Sequence, residues 1–450
     1  MGWLFAAIAC LALAPAGAHA AGFALVDQGG RAQGSAYAGE AAIAEDATTI
    51  TFNPAGMTRL PGGQIVLSGH VLSLNLAFED RGSTVARRFG GEPLHGERDA
   101  SSDAIGFAPN LDVSYRLSER WWIGLGVLAP FGFRTEYDSD WVGRYHAIES
   151  DMKMVEVAPT VAVKLLDGLS FGASLAIQYA HIRLSSALDL GAVCEDNLAT
   201  LGLPPGTCAT IGLPVQEVDG FVKLTTSSWG VGYNLGFLYE FTSHTRVGLS
   251  YRSMVRHQFE GEAKFTIPKQ AEVLQSTGAL RDTGAQFTID LPEVVRLGVY
   301  HELGPRVAAM AGIEWTNWSR FASIPTTFDN PAQPPIVQPE EWRDAFRYAV
   351  GGAYRPTPRW ILQLGGAYDE TPVPSPQLRT ARIPDADRVW ITAGIGHRLT
   401  DTLRFDVSYA HLFAPTVSID NRDPVSGAVL RGRYEGSANI LGLQATWAFQ

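Results

Sequence analysis

Apolar and polar residues alternate with a period of two along most of the chain from Gly62 onward. Between Trp229 and Phe241, aromatic and aliphatic residues occupy every odd position, whereas the even positions are mostly glycine or polar. Successive side chains of a β-strand point to opposite faces, so such a segment has one apolar face and one small or polar face. The alternation therefore predicts β-strands rather than helices.

The strand pattern recurs in an even number of segments. We predict 14 strands, at 62–79, 103–117, 120–134, 150–166, 169–184, 227–241, 244–262, 285–302, 305–321, 342–356, 359–372, 387–399, 402–413 and 435–449. Short turns such as 118–120 and 400–401 alternate strictly with longer loops, the longest of which is 185–226. Outer-membrane barrels have short periplasmic turns and longer external loops. We therefore predict an all-β, 14-stranded antiparallel transmembrane β-barrel over 62–450, with both termini in the periplasm.

Composition supports a membrane barrel over a soluble sandwich. Charged residues make up 18% and aromatic residues 10% of the chain, and there are 47 glycines. A soluble sandwich also alternates, but its polar face looks at water and rarely carries so much glycine. No uninterrupted apolar run is long enough for a spanning helix, and a net charge of −11 argues against a nucleic-acid partner.

The first residues have the sequence features of an export signal. An apolar stretch from Trp3 to Ala14 is followed by Ala18-His19-Ala20, a small-residue cleavage motif. We interpret 1–20 as a signal peptide, with the mature chain beginning at Ala21.

Two cysteines remain after the predicted cleavage site. Cys194 and Cys208 lie in a loop rich in glycine and proline. Exported proteins meet an oxidising compartment, so we expect a disulfide that closes this loop. No nearby histidine or cysteine pair has ligand spacing, and we predict neither a metal nor a cofactor.

Residues 21–61 do not alternate. They are rich in alanine and glycine and end in Asn53-Pro54-Ala55-Gly56. A periplasmic linker is one interpretation, yet Phe23 and Leu25 would be unusual in a solvated tail. A barrel of roughly 16 strands leaves an aqueous channel, so a 14-stranded one would leak without a plug. We therefore predict that this segment is a hatch inside the lumen.

At this point the chain resembles a known family, the FadL family of outer-membrane long-chain fatty acid transporters, which includes relatives for aromatic hydrocarbons. The similarity covers essentially the whole mature chain. The matching segments are 21–23, 37–47, 53–55, 291–293, Trp315 to Phe321, Tyr368 to Pro374 and 383–388. The resemblance implies the 14-stranded barrel with its hatch and also a substrate class, which alternation alone does not give.

The third predicted strand contains Pro130-Phe131-Gly132-Phe133. Proline donates no hydrogen bond to a ladder, and an interior glycine marks a bend. A kink here would open the wall, and the resemblance implies that such a kink serves as a lateral exit. The alternative is that Pro130 simply ends the strand at the outer rim.

Candidate capture and binding residues complete the predicted path. Outward-facing apolar loop residues can form a groove, and the alternative is a loop packed on itself. The loop candidates are Leu201, Leu203, Ile211 and Leu213. The resemblance implies a lumen site next to the hatch, for which Phe23 is a candidate.

A carboxylate substrate would need a cation or strong donors. Parity counted from the lipid-facing aromatics places Arg252, Arg256, Arg296 and Arg347 inside the barrel. Arg183 lies near the outer end of strand five, where the resemblance implies a basic residue, but strict parity points it outward unless a bulge intervenes. In the alternative, purely structural interpretation, these arginines form ion pairs with lumen carboxylates, because an isolated buried charge is costly.

Inward transport of long-chain fatty acids or other hydrophobic compounds is the predicted function, with no enzymatic activity. The expected partners are outer-membrane lipid, lipopolysaccharide and the hydrophobic substrate, and we expect a monomer. The alternatives are an outer-membrane lipase or a general porin. The family's basic position after the Trp318 motif is replaced by Ile324-Pro325, which leaves the charge of the substrate open.

Overall fold

The computed structural model describes residues 22–204 and 206–449. The predicted signal peptide and its cleavage motif lie outside the described residues. Within the described part of the chain, one antiparallel sheet closes on itself as a 14-stranded barrel, as predicted. No helix in these two ranges is long and apolar enough to cross a membrane.

The barrel strands follow one another around the wall in chain order. They are β1 (Gly63–Asp80), β2 (Ala104–Arg116), β3 (Trp121–Leu128 and Gly132–Glu136), β4 (Glu149–Leu166), β5 (Leu169–Asp189), β6 (Asp219–Glu240), β7 (Thr245–Arg252 and Val255–Thr266), β8 (Thr283–Leu291 and Val294–Glu302), β9 (Val307–Thr316), β10 (Ala345–Thr357), β11 (Trp360–Asp369), β12 (Arg388–Arg398), β13 (Leu403–Phe413) and β14 (Val429–Phe449). Four shorter strands extend the loops, at Asp99–Ser101, Ser323–Phe328, Ile336–Pro339 and Val417–Arg422.

Closure is made by the two ends of the barrel sequence. β1 pairs with β14 along its whole length, from Gly63 opposite Phe449 to Asp80 opposite Gly432. Neither strand is left with an open edge, which removes the aggregation hazard that an edge strand presents.

The wall is apolar outside and polar inside, the reverse of a soluble protein. On β6, Trp229 and Val231 are 70% and 67% exposed, whereas Gly230 and Asn234 are buried. The same inversion holds around the barrel, and it matches the lipid-facing and lumen-facing sets of an outer-membrane barrel.

Three strands predicted as continuous are interrupted. β3 breaks between Leu128 and Gly132, β7 between Arg252 and Val255, and β8 between Leu291 and Val294. Proline lies in two of these breaks, at Pro130 and Pro292. Proline lacks the N–H that a ladder needs and is confined to edges, strand starts and bulges.

The hatch is a short helical plug held within the barrel. Its helices are Gly30–Gln33, Glu40–Ile43 and Thr49–Phe52, followed by the 3₁₀ helix Pro54–Arg59. These helices contact β3 to β9 on one side and β12 to β14 and β1 on the other. Asn53 joins plug to wall, because its Nδ2 donates to the Ala41 and Phe237 carbonyls at 2.6 and 2.9 Å.

Inward-facing glycines let the hatch backbone touch the wall. A Cβ at Gly248 would collide with the Ala41 carbonyl, and one at Gly351 would lie 2.8 Å from the Ser35 oxygen. Glycine is the residue that permits such close backbone approach. The high glycine content therefore reflects both the lumen face and the seat of the plug.

The external loop after β5 is shorter than predicted. β5 continues to Asp189, and β6 already begins at Asp219. Its helices are Leu190–Asp196, Leu198–Leu201 and Thr207–Thr210, and they pack beside the 3₁₀ helix Lys269–Thr277 of the next external loop. The predicted disulfide Cys194–Cys208 is present. Two further 3₁₀ turns lie at Arg87–Phe89 and Trp318–Arg320.

Candidate functional site

The break in β3 is filled by the start of the hatch. The Leu25 N–H donates to the Pro130 carbonyl at 2.9 Å, and the Gly132 N–H donates to the Phe23 carbonyl at 3.0 Å. Gln28 adds a side-chain bond, from Nε2 to the Ala129 carbonyl at 2.7 Å. The backbone groups that the break would leave unpaired are thus satisfied by the plug and not by a neighbouring wall strand.

Above the break, the ladder between β2 and β3 is missing. Pairs between these strands run only from Leu111 opposite Val127 to Arg116 opposite Trp122. The upper segment of β3, Gly132–Glu136, keeps the pairing with β4 that the lower segment also has. Within the described residues, the wall between β2 and upper β3 therefore lacks a backbone ladder.

Phe23 is enclosed by aromatic rings. Its ring centroid lies 4.9 to 5.8 Å from five others, which belong to Phe131, Phe133, Trp318, Phe321 and Trp342. Tilted and edge-to-face contacts in this range stabilise aromatic clusters beyond simple area burial. The plug is thereby anchored to β3 on one side and to the loop after β9 on the other.

A cavity lies directly below this cluster, between the hatch and the wall. We call it the lower cavity. Its lining combines apolar side chains with charged groups from β7 to β11, and includes Leu25, Phe52, Leu128, Pro130, Phe131, Arg252, Arg296, Glu314, Trp318, Arg347 and Asp369. It touches both the hatch and the break in β3.

Three predicted lumen arginines line this cavity, and each has a partner in the barrel. Arg252 forms a buried ion pair with Glu156, and Arg296 binds Glu314 at 2.5 Å. The Arg347 guanidinium donates to the Ala36 carbonyl at 2.8 Å. Arg347 also lies 5.2 Å from the Trp390 ring and 5.8 Å from that of Tyr37. The pairing alternative therefore describes Arg252 and Arg296.

The parity prediction fails at Arg256. Between Arg252, which faces Asn234, and Glu260, which faces Ser227, β7 has one residue more than β6. This bulge reverses the side-chain direction, so Arg256 points outward, where it binds Asp290 at 2.7 Å. Two residues opposing one across a ladder is the definition of a bulge.

The inward orientation that a binding role of Arg183 would require is not found either. The register of β5 against β4 runs without a shift from Leu184 to Ile177. The bulge that would turn Arg183 inward is thus missing from this described stretch, and the side chain keeps its outward parity. It binds Asp151 at 2.7 Å and Glu149 at 3.3 Å.

The predicted loop residues divide between core and surface. Leu213 is fully buried with the disulfide in a small loop core, and Leu201 and Leu203 pack against it. Ile211 is 43% exposed. The self-packed alternative therefore describes Leu213, Leu201 and Leu203, and only Ile211 presents an apolar surface.

Sequence reasoning missed three buried charged groups near the plug. Asp385 Oδ2 accepts from the Gly22 N–H at 3.2 Å, and Arg388 lies 3.2 Å from Asp385 and 3.6 Å from Asp369. In the hatch, burial raises the pKa of Asp27 to about 6, against the opposing effect of a hydrogen bond from Tyr37. For Asp385 and Arg388 the available signal was the segment 383–388, which matches the family but to which no role was assigned.

A closed barrel with an apolar outer face and a plug inside its lumen is the architecture of an outer-membrane transport protein. The family model described as "Outer membrane protein transport protein (OMPP1/FadL/TodX)" matches residues 11–449. The chain belongs to this family, and the protein is an outer-membrane protein.

Individual relatives are similar over nearly their full length. A putative outer membrane protein of Neisseria meningitidis is 28% identical, with 98% of this chain and 97% of that protein covered. The long-chain fatty acid transport protein of Escherichia coli O6:H1 is 27% identical, with the same coverage. The crystal structure of a Pseudomonas aeruginosa FadL homologue has a TM-score of 0.85 at 22% sequence identity. The superposition covers 96% of this chain and 100% of the homologue.

Proposed function

We propose that this barrel carries long-chain fatty acids, or hydrophobic compounds of similar character, from the cell exterior to the outer membrane. The observation that supports the proposal most is the contact of the hatch with the break in β3. One segment of the hatch, anchored by Phe23, both borders the lower cavity and completes the wall at Pro130 and Gly132.

Lateral release follows from the energetics of an apolar chain. Burying each CH₂ is worth roughly 0.8 kcal/mol, so a 16-carbon tail gains on the order of 12 kcal/mol in an apolar site. A water-filled exit would forfeit that gain. In the proposed mechanism the tail leaves through the gap between β2 and upper β3 and enters the bilayer without exposure to water.

Capture begins, in this proposal, on the external loops. Ile211 and Val273, on the two loops that pack together, are 43% and 47% exposed. Exposed apolar loop surface of this kind suits a weak first contact with a hydrophobic compound. The disulfide and the loop core beneath hold that surface in place.

We propose transport rather than lipolysis as the activity. The lipase alternative requires a histidine that activates a serine. His411 on β13 has the lipid-facing parity that such a histidine would need, but its Nδ1 lies 2.8 Å from the Asn439 side-chain oxygen. The relatives that support the assignment are transport proteins by name.

The surroundings of the barrel are also part of the proposal. We propose a monomer whose apolar outer face meets membrane lipid. At the external end, the outward-facing Arg183 and Lys223 would meet lipopolysaccharide phosphates, since arginine and lysine are the usual partners of phosphate groups.

Replacing Gly132 with tryptophan tests the lateral exit. The bulky side chain should obstruct the gap and abolish uptake of a labelled long-chain fatty acid by whole cells, while the barrel still folds and reaches the membrane. Gly304→Trp is the matched control, because a Cβ at Gly304 has no atom within 4 Å. Normal uptake by the Gly132 variant, with expression equal to wild type, would refute lateral exit at this break.

A further inference from the structure

A second cavity lies in the lumen, near the closure of the barrel. We call it the upper cavity. β1, β13 and β14 form its wall, and the segment before β12 covers it. Its lining is mostly apolar and includes Leu74, Leu76, Leu412, Ala414, Tyr434 and Ala438, with Arg388 and Asp385 as the charged members.

Arg388 is almost completely enclosed, with its side chain only 6% exposed. None of its three guanidinium nitrogens has a hydrogen-bond partner among residues 22–204 and 206–449. Asp385 and Asp369 lie 3.2 and 3.6 Å away, close enough for charge compensation but without hydrogen-bond geometry. One oxygen of Asp369, Oδ2, is likewise unpartnered in the described chain.

The charge of Arg388 is compensated by its neighbours, but its hydrogen-bonding capacity is not used by the residues that the structure describes. The two aspartates lie close enough to compensate the positive charge of Arg388, so an oxygen acceptor bound there need not carry a negative charge. Its guanidinium N–H groups, however, lack acceptors, and a buried donor without an acceptor is costly. Guanidinium has five donors and no acceptor of its own. The group best suited to this site is therefore an oxygen that accepts hydrogen bonds.

We infer that the upper cavity is a binding site for an apolar chain that ends in a hydrogen-bond-accepting oxygen, with the oxygen at Arg388 and the chain among the leucines of β1 and β13. Alcohols, esters and carboxylic acids share this chemistry, whereas an alkane or an unsubstituted arene lacks it. Buried polar groups of a site reject an analogue that leaves them unpaired.

The site also has a place in the proposed path, and to that extent it rests on the proposed function. Asp369 lines the lower cavity, and its partner Arg388 lines the upper one. The ion pair therefore stands between the two cavities. A molecule bound above would reach the hatch and the break in β3 by passing Arg388, so this residue would select for a polar head before the exit.

The test uses the purified full chain and three ten-carbon probes that carry bromine at one end. 10-Bromodecan-1-ol, 10-bromodecanoate and 1-bromodecane differ only at the other end. Anomalous scattering from crystals soaked with each probe locates the bromine, and calorimetry in lipid nanodiscs measures affinity. We expect bromine density in the upper cavity for the alcohol and the acid. Loss of a hydrogen bond to a charged donor should weaken the alkane by about tenfold or more.

Gly436→Leu blocks the cavity without altering charge. A Cβ at Gly436 lies 3.6 Å from its nearest neighbours, the Asn75 carbonyl and Leu76, so the added side chain fits and extends into the cavity. Gly352→Leu is the matched control, since its Cβ has a single neighbour, the Ala308 carbonyl, at 3.7 Å. The first variant should lose the upper bromine peak, and the control should keep it.

Arg388→Met retains the apolar stem and removes the donors, so it should bind the alcohol and the alkane equally. Should this variant fail to fold, the Gly436→Leu comparison still decides. Bromine density only in the lower cavity, ordered water alone at Arg388, or equal affinity of wild type for all three probes would overturn the inference. Binding without uptake would leave it standing and count against the proposed transport function alone.

Discussion

Several of the charged side chains that point into this barrel form ion pairs with a neighbour of opposite charge. Arg252 pairs with Glu156, Arg296 with Glu314, and Arg404 with Asp406 at 2.6 Å. Breaking a buried pair by removing one partner strongly destabilises a protein, because an uncompensated charge remains. Such pairs keep the lumen polar without giving it a large net charge.

Glu340 is a buried carboxyl for which we expect a measurable pH dependence. It lies in the external loop after β9, and Trp342 Nε1 donates to it at 3.1 Å. Burial raises its pKa from 4.5 to about 8. A raised carboxyl pKa means that its contribution to stability is complete below about pH 4.5 and is lost as the pH rises through about 8.

Glu340→Gln should therefore reduce the fall in thermal midpoint between about pH 5 and about pH 9, a range that brackets the shifted pKa. Glu341→Gln, at the exposed neighbouring position, is the control and should retain the wild-type slope. Circular dichroism melts in one detergent across this range provide the measurement. Identical slopes for wild type and the Glu340 variant would show that this carboxyl is not the source.

At single positions, sequence parity was a good guide until the backbone departed from a regular ladder. It placed Arg252, Arg296 and Arg347 in the lumen, where the structure has them. It failed at Arg256, because one extra residue in β7 reverses every later side chain. A bulge is set by the register of two strands together, and one strand's sequence does not reveal it.

At the scale of elements, the hatch and the wall are fitted to each other backbone to backbone. Gly248 on β7 faces the Ala41 carbonyl, and Gly236 on β6 faces the side-chain oxygen of Asn53. Short helices of about four residues are unstable alone in water, so these hatch helices depend on the wall for their order. The wall glycines are therefore required for the hatch to fit inside the barrel.

Gly248→Ala should displace the hatch. The added methyl would overlap the Ala41 carbonyl, and the plug backbone must shift to relieve the overlap. We expect higher single-channel conductance in planar bilayers than for wild type, because the displaced plug fills the lumen less completely. Gly304→Ala adds the same methyl in open space and should leave conductance unchanged. A wild-type conductance for the Gly248 variant would mean that the seal does not depend on this contact.

Alternation predicted the number and order of the strands but not their interruptions. The predicted segment 120–134 is broken at Pro130, and its missing hydrogen bonds are supplied by residues 23–28 from far along the chain. The bounds of the longest external loop were predicted less well, because β5 continues to Asp189 and β6 already begins at Asp219. Their outer parts carry charged residues, as at Arg183, and no longer show the lipid-facing alternation.

For the whole molecule, the long loops and the short turns should lie on opposite sides of the membrane. Epitope tags inserted at Gly202, Pro331 or Ser426 should be labelled on intact cells, because these positions lie in long loops. Tags at Ser118 or Asp401 lie in exposed short turns and should be labelled only after permeabilisation. External labelling at either turn would reverse the assigned orientation.

The seam between β1 and β14 has a consequence for how the molecule is assembled. It joins residues at opposite ends of the barrel sequence, from Gly63 with Phe449 to Asp80 with Gly432. Contacts so distant in sequence carry the largest loop-closure entropy and form late. The plug is synthesised first, yet its binding surface comes from β3 to β14. During assembly, residues 22–61 must therefore lie on the inner side of the sheet while it is still open. The pairing of β1 with β14 then closes the barrel around this segment.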